Sequence, residues 1–276
     1  MANPLGKAKE GRGKSEHTNK HRVAIPFQID QVIKESDIIL EVLDARFIEK
    51  TRNTEIEQKV KDSGKILIYI FNKSDLVDVD KVRQEEGFKE LKPNMFFSSK
   101  DRKGSAILRK LIKMELKKIK KDLINVGIIG YPNTGKSSLI NLLVGRSVSR
   151  TSSEAGFTKG IQKLKISNGV YLVDTPGIIP PAEKTHEQRV LARHSQIGAI
   201  TWDRAKDPQM VVNMIMQEYL GILEKHYRID AKGDSEVLIE KLGRRSNYLK
   251  KGNLVDENRT AKKILKDWQE GKIRVR

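Results

Sequence analysis

The chain has no cysteine among its 276 residues, which excludes a disulfide framework and any thiolate-bound metal. Long apolar runs are also missing. The longest, Ile66 to Phe71, has the length of a strand, so no segment is suited to crossing a membrane. Among the first residues, Lys7, Lys9, Arg12 and Lys14 stand between glycines and polar residues, without the apolar stretch of a secretory signal. Lipidation motifs and internal repeats are absent as well. These absences together point to a cytoplasmic protein without a membrane partner. Negative charge is in short supply, with 36 acidic against 54 basic residues and a formal net charge of +18.

A hydrophobic content of 37% leaves enough for a genuine core, and the length fits one domain of moderate size plus a smaller one. A solvated, lysine-rich surface accounts for some of the positive charge. Its concentration in places favours a polyanionic partner. The first tail carries Lys7, Lys9, Arg12, Lys14, Lys20 and Arg22 against Glu10 and Glu16. Between Arg102 and Lys121 there are nine basic residues and a single acid, Glu115. Neutralising many phosphates yields affinity through counterion release. RNA is the favoured partner, because nothing resembles a base-reading DNA helix pair.

Residues 1–22 have the composition of a basic disordered tail. From Val23 strand-like and helix-like segments alternate, the signature of an α/β domain with a mostly parallel sheet. Strands are expected at Asp37–Asp44, Ile66–Phe71, Met95–Phe97, Val126–Ile129, Ile161–Ile166 and Val170–Asp174. Helices are expected at Gln28–Glu35, Asn53–Asp62, Val79–Glu90, Ser105–Lys120 and Gly135–Leu143. Past Pro180-Pro181 the pattern turns helical, with segments at Met210–Lys225, Glu236–Leu242 and Arg259–Glu270 and a Gly- and Asn-containing loop between the last two. The expected organisation is a tail over 1–22, a nucleotide-binding domain over 23–184 and an all-α domain over 185–276.

Gly130 to Ser137 reads Gly-Tyr-Pro-Asn-Thr-Gly-Lys-Ser, between a strand and a helix. That context suits a phosphate loop, whose glycines let backbone N–H groups close on the phosphates at a helix N-terminus. Lys136 is expected at the β- and γ-phosphates and the Ser137 hydroxyl on Mg²⁺, with Asn133, Thr134, Gly135 and Ser138 completing the cradle. Asn72-Lys73-Ser74-Asp75 ends an apolar strand, where α/β sheets bind ligands. A carboxylate at Asp75 accepts from guanine N1–H and N2–H₂, a pair that adenine does not offer. Ser98-Ser99-Lys100 ends another strand and suits a loop presenting N–H to guanine O6. Asp174-Thr-Pro-Gly177 supplies a water-mediated magnesium ligand, Asp174, and an N–H at Gly177 that senses the γ-phosphate. The remaining switch lies in Arg150–Gly160, where Thr158 is the candidate second magnesium hydroxyl and Thr151 and Ser152 are its rivals. The groups expected to act on the reaction itself are Lys136, Thr158 and Gly177.

The order of these motifs is unusual. The guanine motif comes first and the phosphate loop and Asp-x-x-Gly follow, as though a guanine-nucleotide domain had been cut and rejoined. In this order, with Gly156-Phe157-Thr158 and Asp44-Ala45-Arg46, the chain resembles the circularly permuted GTPases of the YlqF/RbgA/YawG type. The likeness extends over roughly Gln28 to Ile273. It implies a circularly permuted P-loop GTPase domain followed by a helical RNA-binding domain, and a role in ribosome assembly. Ile178 stands where Ras-like proteins carry a water-positioning Gln, and the family's use of potassium near the phosphates implies a K⁺ ligand at Asn133, with a plain turn residue that stabilises the loop as the equal alternative. The bacterial N-terminal histidine motif is not matched; His17 and His21 in the basic tail are the nearest substitutes, and the favoured reading of both is as solvent-exposed spectators. His186 and His194 read as surface or packing residues.

In the last segment, Arg244, Arg245, Lys250 and Lys251 flank Tyr248, a pattern suited to RNA backbone and base stacking. Trp268, at helical spacing from Ile264 and Leu265, reads as core. The sequence therefore leads to a monomeric, Mg²⁺-dependent GTPase, slow on its own, that docks on the rRNA of a large ribosomal subunit precursor with GTP and leaves with GDP. The alternative is a nucleotide-gated RNA-binding or scaffold protein with negligible turnover.

Overall fold

The computed structural model describes residues 25–119, 121–145, 162–174 and 186–275. The expected basic tail and the segment holding Thr151, Ser152 and Thr158 lie outside the described residues, as do Gly177 and Ile178.

In chain order the first half contains α1 (Ile25–Glu35), β1 (Ile38–Asp44), α2 (Ile48–Thr51), α3 (Thr54–Asp62), β2 (Ile66–Asn72), α4 (Val79–Gln84), β3 (Asn94–Phe96), α5 (Ser105–Leu116), β4 (Ile124–Ile129) and α6 (Lys136–Val144). Then come β5 (Gln162–Ser167), β6 (Val170–Asp174), α7 (Gln188–Gln196), α8 (Pro208–Glu218), α9 (Ile222–Tyr227), α10 (Ser235–Arg245), β7 (Leu249–Lys250), β8 (Leu254–Val255) and α11 (Glu257–Gln269).

Six strands form one sheet in the order β3-β2-β1-β4-β6-β5, parallel except for β5, which pairs antiparallel with β6. Strand β1 lies inside the sheet and every one of its residues is buried, Glu41 and Asp44 included, as in a parallel strand covered on both faces. Alternation sends Ile39 and Leu43 to one face, with Val32 and Ile33 of α1 and Val60 of α3. Ile38, Leu40 and Val42 go to the other, with Leu108 and Ile112 of α5 and Leu139, Ile140 and Leu143 of α6. The loops after β1, β2 and β4 leave the same edge of the sheet, because these strands run parallel in adjacent positions.

The third apolar cluster is built by α7 to α11, and Phe47 and Tyr131, from the loops after β1 and β4, are part of it. Trp268 sits at its centre with its side chain buried, stacked on Phe47 at 5.7 Å and donating Nε1–H to the Gln196 carbonyl at 2.8 Å. The helices therefore share side chains with the nucleotide-motif loops.

Several expected elements differ in extent. The helix expected over Val79–Glu90 stops at Gln84; Gly87, at φ 84°, precedes a short 3-10 turn, Phe88–Glu90. The one expected over Met210–Lys225 is two helices, α8 and α9, parted at Tyr219-Leu220-Gly221 where Gly221 takes φ 71°. Helix α5 gives way after Leu116 rather than continuing to Lys120. The loop between α10 and α11, expected to be open, closes into the β7–β8 hairpin over Lys251-Gly252-Asn253, with Gly252 and Asn253 at positive φ. Helices α2 and α7 have no counterpart in the sequence reading.

Candidate nucleotide-binding site

The phosphate-type loop runs from the end of β4 into α6. Gly130 (φ 146°) passes so close to β1 that a Cβ there would lie 2.4 Å from the Val42 carbonyl oxygen. Gly135 (φ 101°) starts the helix with no side-chain cap, so the first-turn N–H groups of α6 have no donor-satisfying oxygen from their own cap residue. Lys136 is almost wholly buried and folds back over the loop, donating to the Gly130 carbonyl at 2.9 Å and the Tyr131 carbonyl at 2.6 Å. Its ammonium is thus held against the backbone carbonyls of the loop. Thr134 turns its hydroxyl inward to the Tyr131 carbonyl at 3.0 Å. Ser137 and Ser138 are half-buried on the first turn of α6.

Asn72 joins three separate sequence motifs. Its Nδ2 donates to the Thr134 carbonyl of the phosphate-type loop at 2.7 Å. Its Oδ1 accepts from the Ser99 backbone N–H at 3.1 Å and from the Ser99 hydroxyl at 2.9 Å. A Cβ on Gly135 would fall 1.9 Å from Asn72 Nδ2, so only glycine admits this approach. The next motif residue, Lys73, adopts φ 61° and donates Nζ–H to Asp44 Oδ2 at 2.7 Å. Asp75 Oδ1 accepts from the Ser98 hydroxyl at 2.7 Å, and Ser98 Oγ accepts in turn from the Asp101 N–H at 3.1 Å. The carboxylate expected to read guanine is thereby oriented by the serine loop. Ser74 donates its N–H to the Phe97 carbonyl at 3.1 Å, which ties the same two loops at the backbone. Lys100 is exposed on the rim.

Asp44, the last residue of β1, is 1% exposed and receives Arg46 in a bidentate pair, Nε to Oδ1 at 3.0 Å and Nη2 to Oδ2 at 2.8 Å. Burial alone would raise its pKa, but Arg46 and Lys73 overcome that and hold the carboxyl well below the usual carboxylate range. The Lys73 pKa is lowered as well, which for an ammonium disfavours the charged form: burial lowers it, Asp44 opposes the change and Arg46 adds to it.

Asn133 takes φ 60° and donates Nδ2–H to the Gly198 carbonyl, just past α7, at 2.8 Å. Asp174 ends β6 opposite Ile128 of β4, which brings its backbone to the same sheet edge; its side chain, like Thr158 and Gly177, lies outside what is described. In the last segment, Arg244 pairs with Glu240, and Arg245 donates to the Tyr227 carbonyl at 2.6 Å. Tyr248 has the Arg259 guanidinium 4.3 Å over its ring. Lys250 and Lys251 are exposed at the β7–β8 turn, Lys250 being 3.5 Å from Asp256. His194, by contrast, is buried edge-on to Tyr131 at 6.4 Å, a packing residue as read.

Sequence reasoning gave no role to Gly198 or Gln269. Gln269 donates to the carbonyls of Ser195 (2.6 Å) and Ile200 (3.0 Å) and accepts from the Trp202 N–H at 3.0 Å, holding the turn that carries Gly198. No periodicity or spacing signals such a contact, because its partners are far apart in the chain. Among the described residues no cluster of His, Asp and Glu is arranged to hold a metal ion. No helix there is long and apolar enough to cross a membrane.

Residues 125–239 match a family model described as 50S ribosome-binding GTPase. An uncharacterised GTP-binding protein of Methanocaldococcus jannaschii is 39% identical over 257 residues, covering 91% of this chain and 66% of the relative. Nucleolar GTP-binding protein 2 of Saccharomyces cerevisiae is 34% identical, covering 89% of this chain and 51% of its own. The chain thus spans somewhat under two thirds to about half the length of these curated relatives. The GNP-bound structure of YlqF from T. maritima superposes with a TM-score of 0.64 at 25% identity, over 90% of this chain and 94% of that one. A GDP-bound YlqF structure gives 0.65 at the same identity.

Proposed function

The chain belongs to the circularly permuted GTP-binding proteins of the YlqF type, and from that premise we propose that it is a GTPase acting in assembly of the large ribosomal subunit. It docks on precursor rRNA in the GTP state and departs after hydrolysis. The observation that carries this reading is Asn72, whose one side chain ties the guanine-type motif to both the serine loop and the phosphate-type loop. Base and triphosphate are thereby offered a single continuous surface despite the altered motif order.

In this reading Asp75 takes the guanine edge, and the loop of Ser98, Ser99 and Lys100 faces O6. Lys136 moves from the loop carbonyls to the β- and γ-phosphate oxygens. Ser137 and Thr158 would hold Mg²⁺, with Asp174 acting through water, and the ion would supply positive charge to the phosphates. Asn133 is assigned to potassium through Oδ1, since Nδ2 faces the Gly198 carbonyl. Residues 23–184 form the catalytic unit and 185–276 the RNA-binding unit of a cytoplasmic monomer. Arg244, Arg245, Lys250 and Lys251 meet phosphates there, and Tyr248 stacks on a base.

The test is GTP hydrolysis in potassium and in sodium buffer, each with and without purified large ribosomal subunits. Stimulation by subunits, larger in potassium, is the expected outcome. Tight GTP binding without turnover under any condition would replace this reading with a nucleotide-gated RNA binder, the reading that Ile178, in the place of a water-positioning Gln, favours.

A further inference from the structure

The Asn-Lys-x-Asp loop leans on a part of the chain that no nucleotide motif includes. Lys73 is anchored by Asp44, and Asp44 is gripped by Arg46 on both oxygens. The remaining arm of Arg46, Nη1, reaches the last turn of α11 and donates to the carbonyls of Trp268 at 2.9 Å and Gln269 at 3.4 Å. Those carbonyls end a helix, where the negative end of the helix dipole favours a cation, and the Trp268 carbonyl also accepts from the Gly271 N–H at 3.1 Å. The guanidinium also lies 4.8 Å over Phe47, which stacks on Trp268. A second contact runs beside the first. Gly271, in the turn after α11, touches Leu76, the residue after Asp75, so closely that a Cβ would sit 2.4 Å from Leu76 Cδ1.

From this we infer that Asp44 and Arg46 are positioning residues for guanine recognition, acting as a strut between the base-reading loop and the carboxyl end of α11. The buried chain of charges runs Lys73, Asp44, Arg46 and then the helix carbonyls, with no water-exposed member except Lys73, whose side chain is one quarter exposed. A cation fixed at that spot sets where the Lys73 stem and the Asp75 carboxylate lie. Moving α11 pulls on Arg46, and occupying the base site pushes on it. Coupling of this kind is reciprocal: whatever α11 does to guanine affinity, guanine does to the seating of α11. Arg rather than Lys is needed, because only a planar fork can grip a carboxylate with two nitrogens and a carbonyl with the third.

The inference rests on the guanine-binding reading of the site. The probes are GDP, ADP and inorganic pyrophosphate, with emission of Trp268 followed in a Trp202→Phe background, the chain having only two tryptophans. Arg46→Met and Asp44→Asn are each expected to weaken GDP binding by about ten- to a hundredfold, the span of ordinary coupling between sites. Pyrophosphate, which occupies only the phosphate-type loop, is expected to keep its affinity within twofold. In the otherwise unaltered chain GDP changes Trp268 emission and pyrophosphate does not; in Arg46→Met the GDP response is lost at saturating nucleotide. Equal loss of GDP and pyrophosphate binding would reduce the strut to general stability and overturn the inference, as would unchanged GDP affinity. Should Arg46→Met fail to fold, Arg46→Lys and the unmutated emission response decide alone: a Trp268 signal blind to GDP sinks the strut. Failure of the unaltered chain to prefer GDP over ADP would sink the guanine reading itself, a distinct result.

Discussion

Glu41 shows what a single misplaced charge does in a parallel sheet. It projects from the middle of β1 into an apolar face; Oε1 accepts from the Asn53 N–H at 3.1 Å and Oε2 has no hydrogen-bond partner. Around it stand Glu57, Arg52 and Tyr69, with Arg52 paired to Glu57 and the Tyr69 hydroxyl donating to Glu57 at 2.9 Å. Burial, and then the Glu57 charge, push the Glu41 pKa well above its ordinary value. The folded state therefore holds this proton more tightly than the unfolded chain. Its contribution is full below the unfolded pKa and is lost as pH rises through the folded one. Glu41→Gln keeps the acceptor for Asn53 and removes the titration. The variant should gain stability over the parent at pH 8 relative to pH 5, read from urea midpoints at the two pH values. A parent whose stability is as high at pH 8 as at pH 5, with no gain in the variant, would show that Glu41 is not the proton holder.

At the scale of elements, α6 is bare at one end and tied at the other. Gly135 offers no cap at its start. At its end, Arg109 of α5 donates to the carbonyls of Leu142 and Leu143, and Gly145 takes φ 77°. The start is also where Asn72 crosses. Gly135→Ala places a methyl into Asn72 Nδ2 and forces an L-residue to φ 101°. Nucleotide affinity measured by calorimetry should fall by about a hundredfold or more, while the thermal midpoint drops by only a few degrees, the strain being of order 1–3 kcal/mol. Parallel strands and the two main loops were legible in the sequence because apolar runs end in Gly-, Asn- and Ser-rich turns. Helix ends were less so. Gly221 splits one apolar stretch into α8 and α9, a break that periodicity alone passes over. Helix α7 was missed because it buries His194, Ser195 and Gln196, residue types that a pattern search assigns to water. The Arg46 and Gln269 contacts left no local trace, since each joins segments remote in the chain.

For the whole molecule, the excess of cations bears on association more than on fold. Lys250 and Lys251, exposed at the β7–β8 turn, are the pair with the fewest structural duties among the assigned RNA contacts. Replacing both with alanine should weaken rRNA binding and make the slope of log K against log salt shallower by about 1–2, one condensed counterion for each lost phosphate contact. Filter binding over a salt series measures this. An unaltered slope would place the RNA interface elsewhere, with the basic outer face of α5 next to be mutated.

The brace between Arg46 and α11 also bears on how the protein is born. Synthesis delivers the guanine-type motif first, then the phosphate-type loop, and the last turn of α11 after both, and the Arg46–Trp268 bond spans 222 positions. Until Trp268 leaves the exit tunnel, Asp44 and Arg46 have no helix end to press against, and Phe47 and Tyr131 have no core to join. A nascent chain of this order carries every nucleotide signature before it owns a finished base pocket, so competence to bind arrives in one step, once α11 is made, rather than loop by loop.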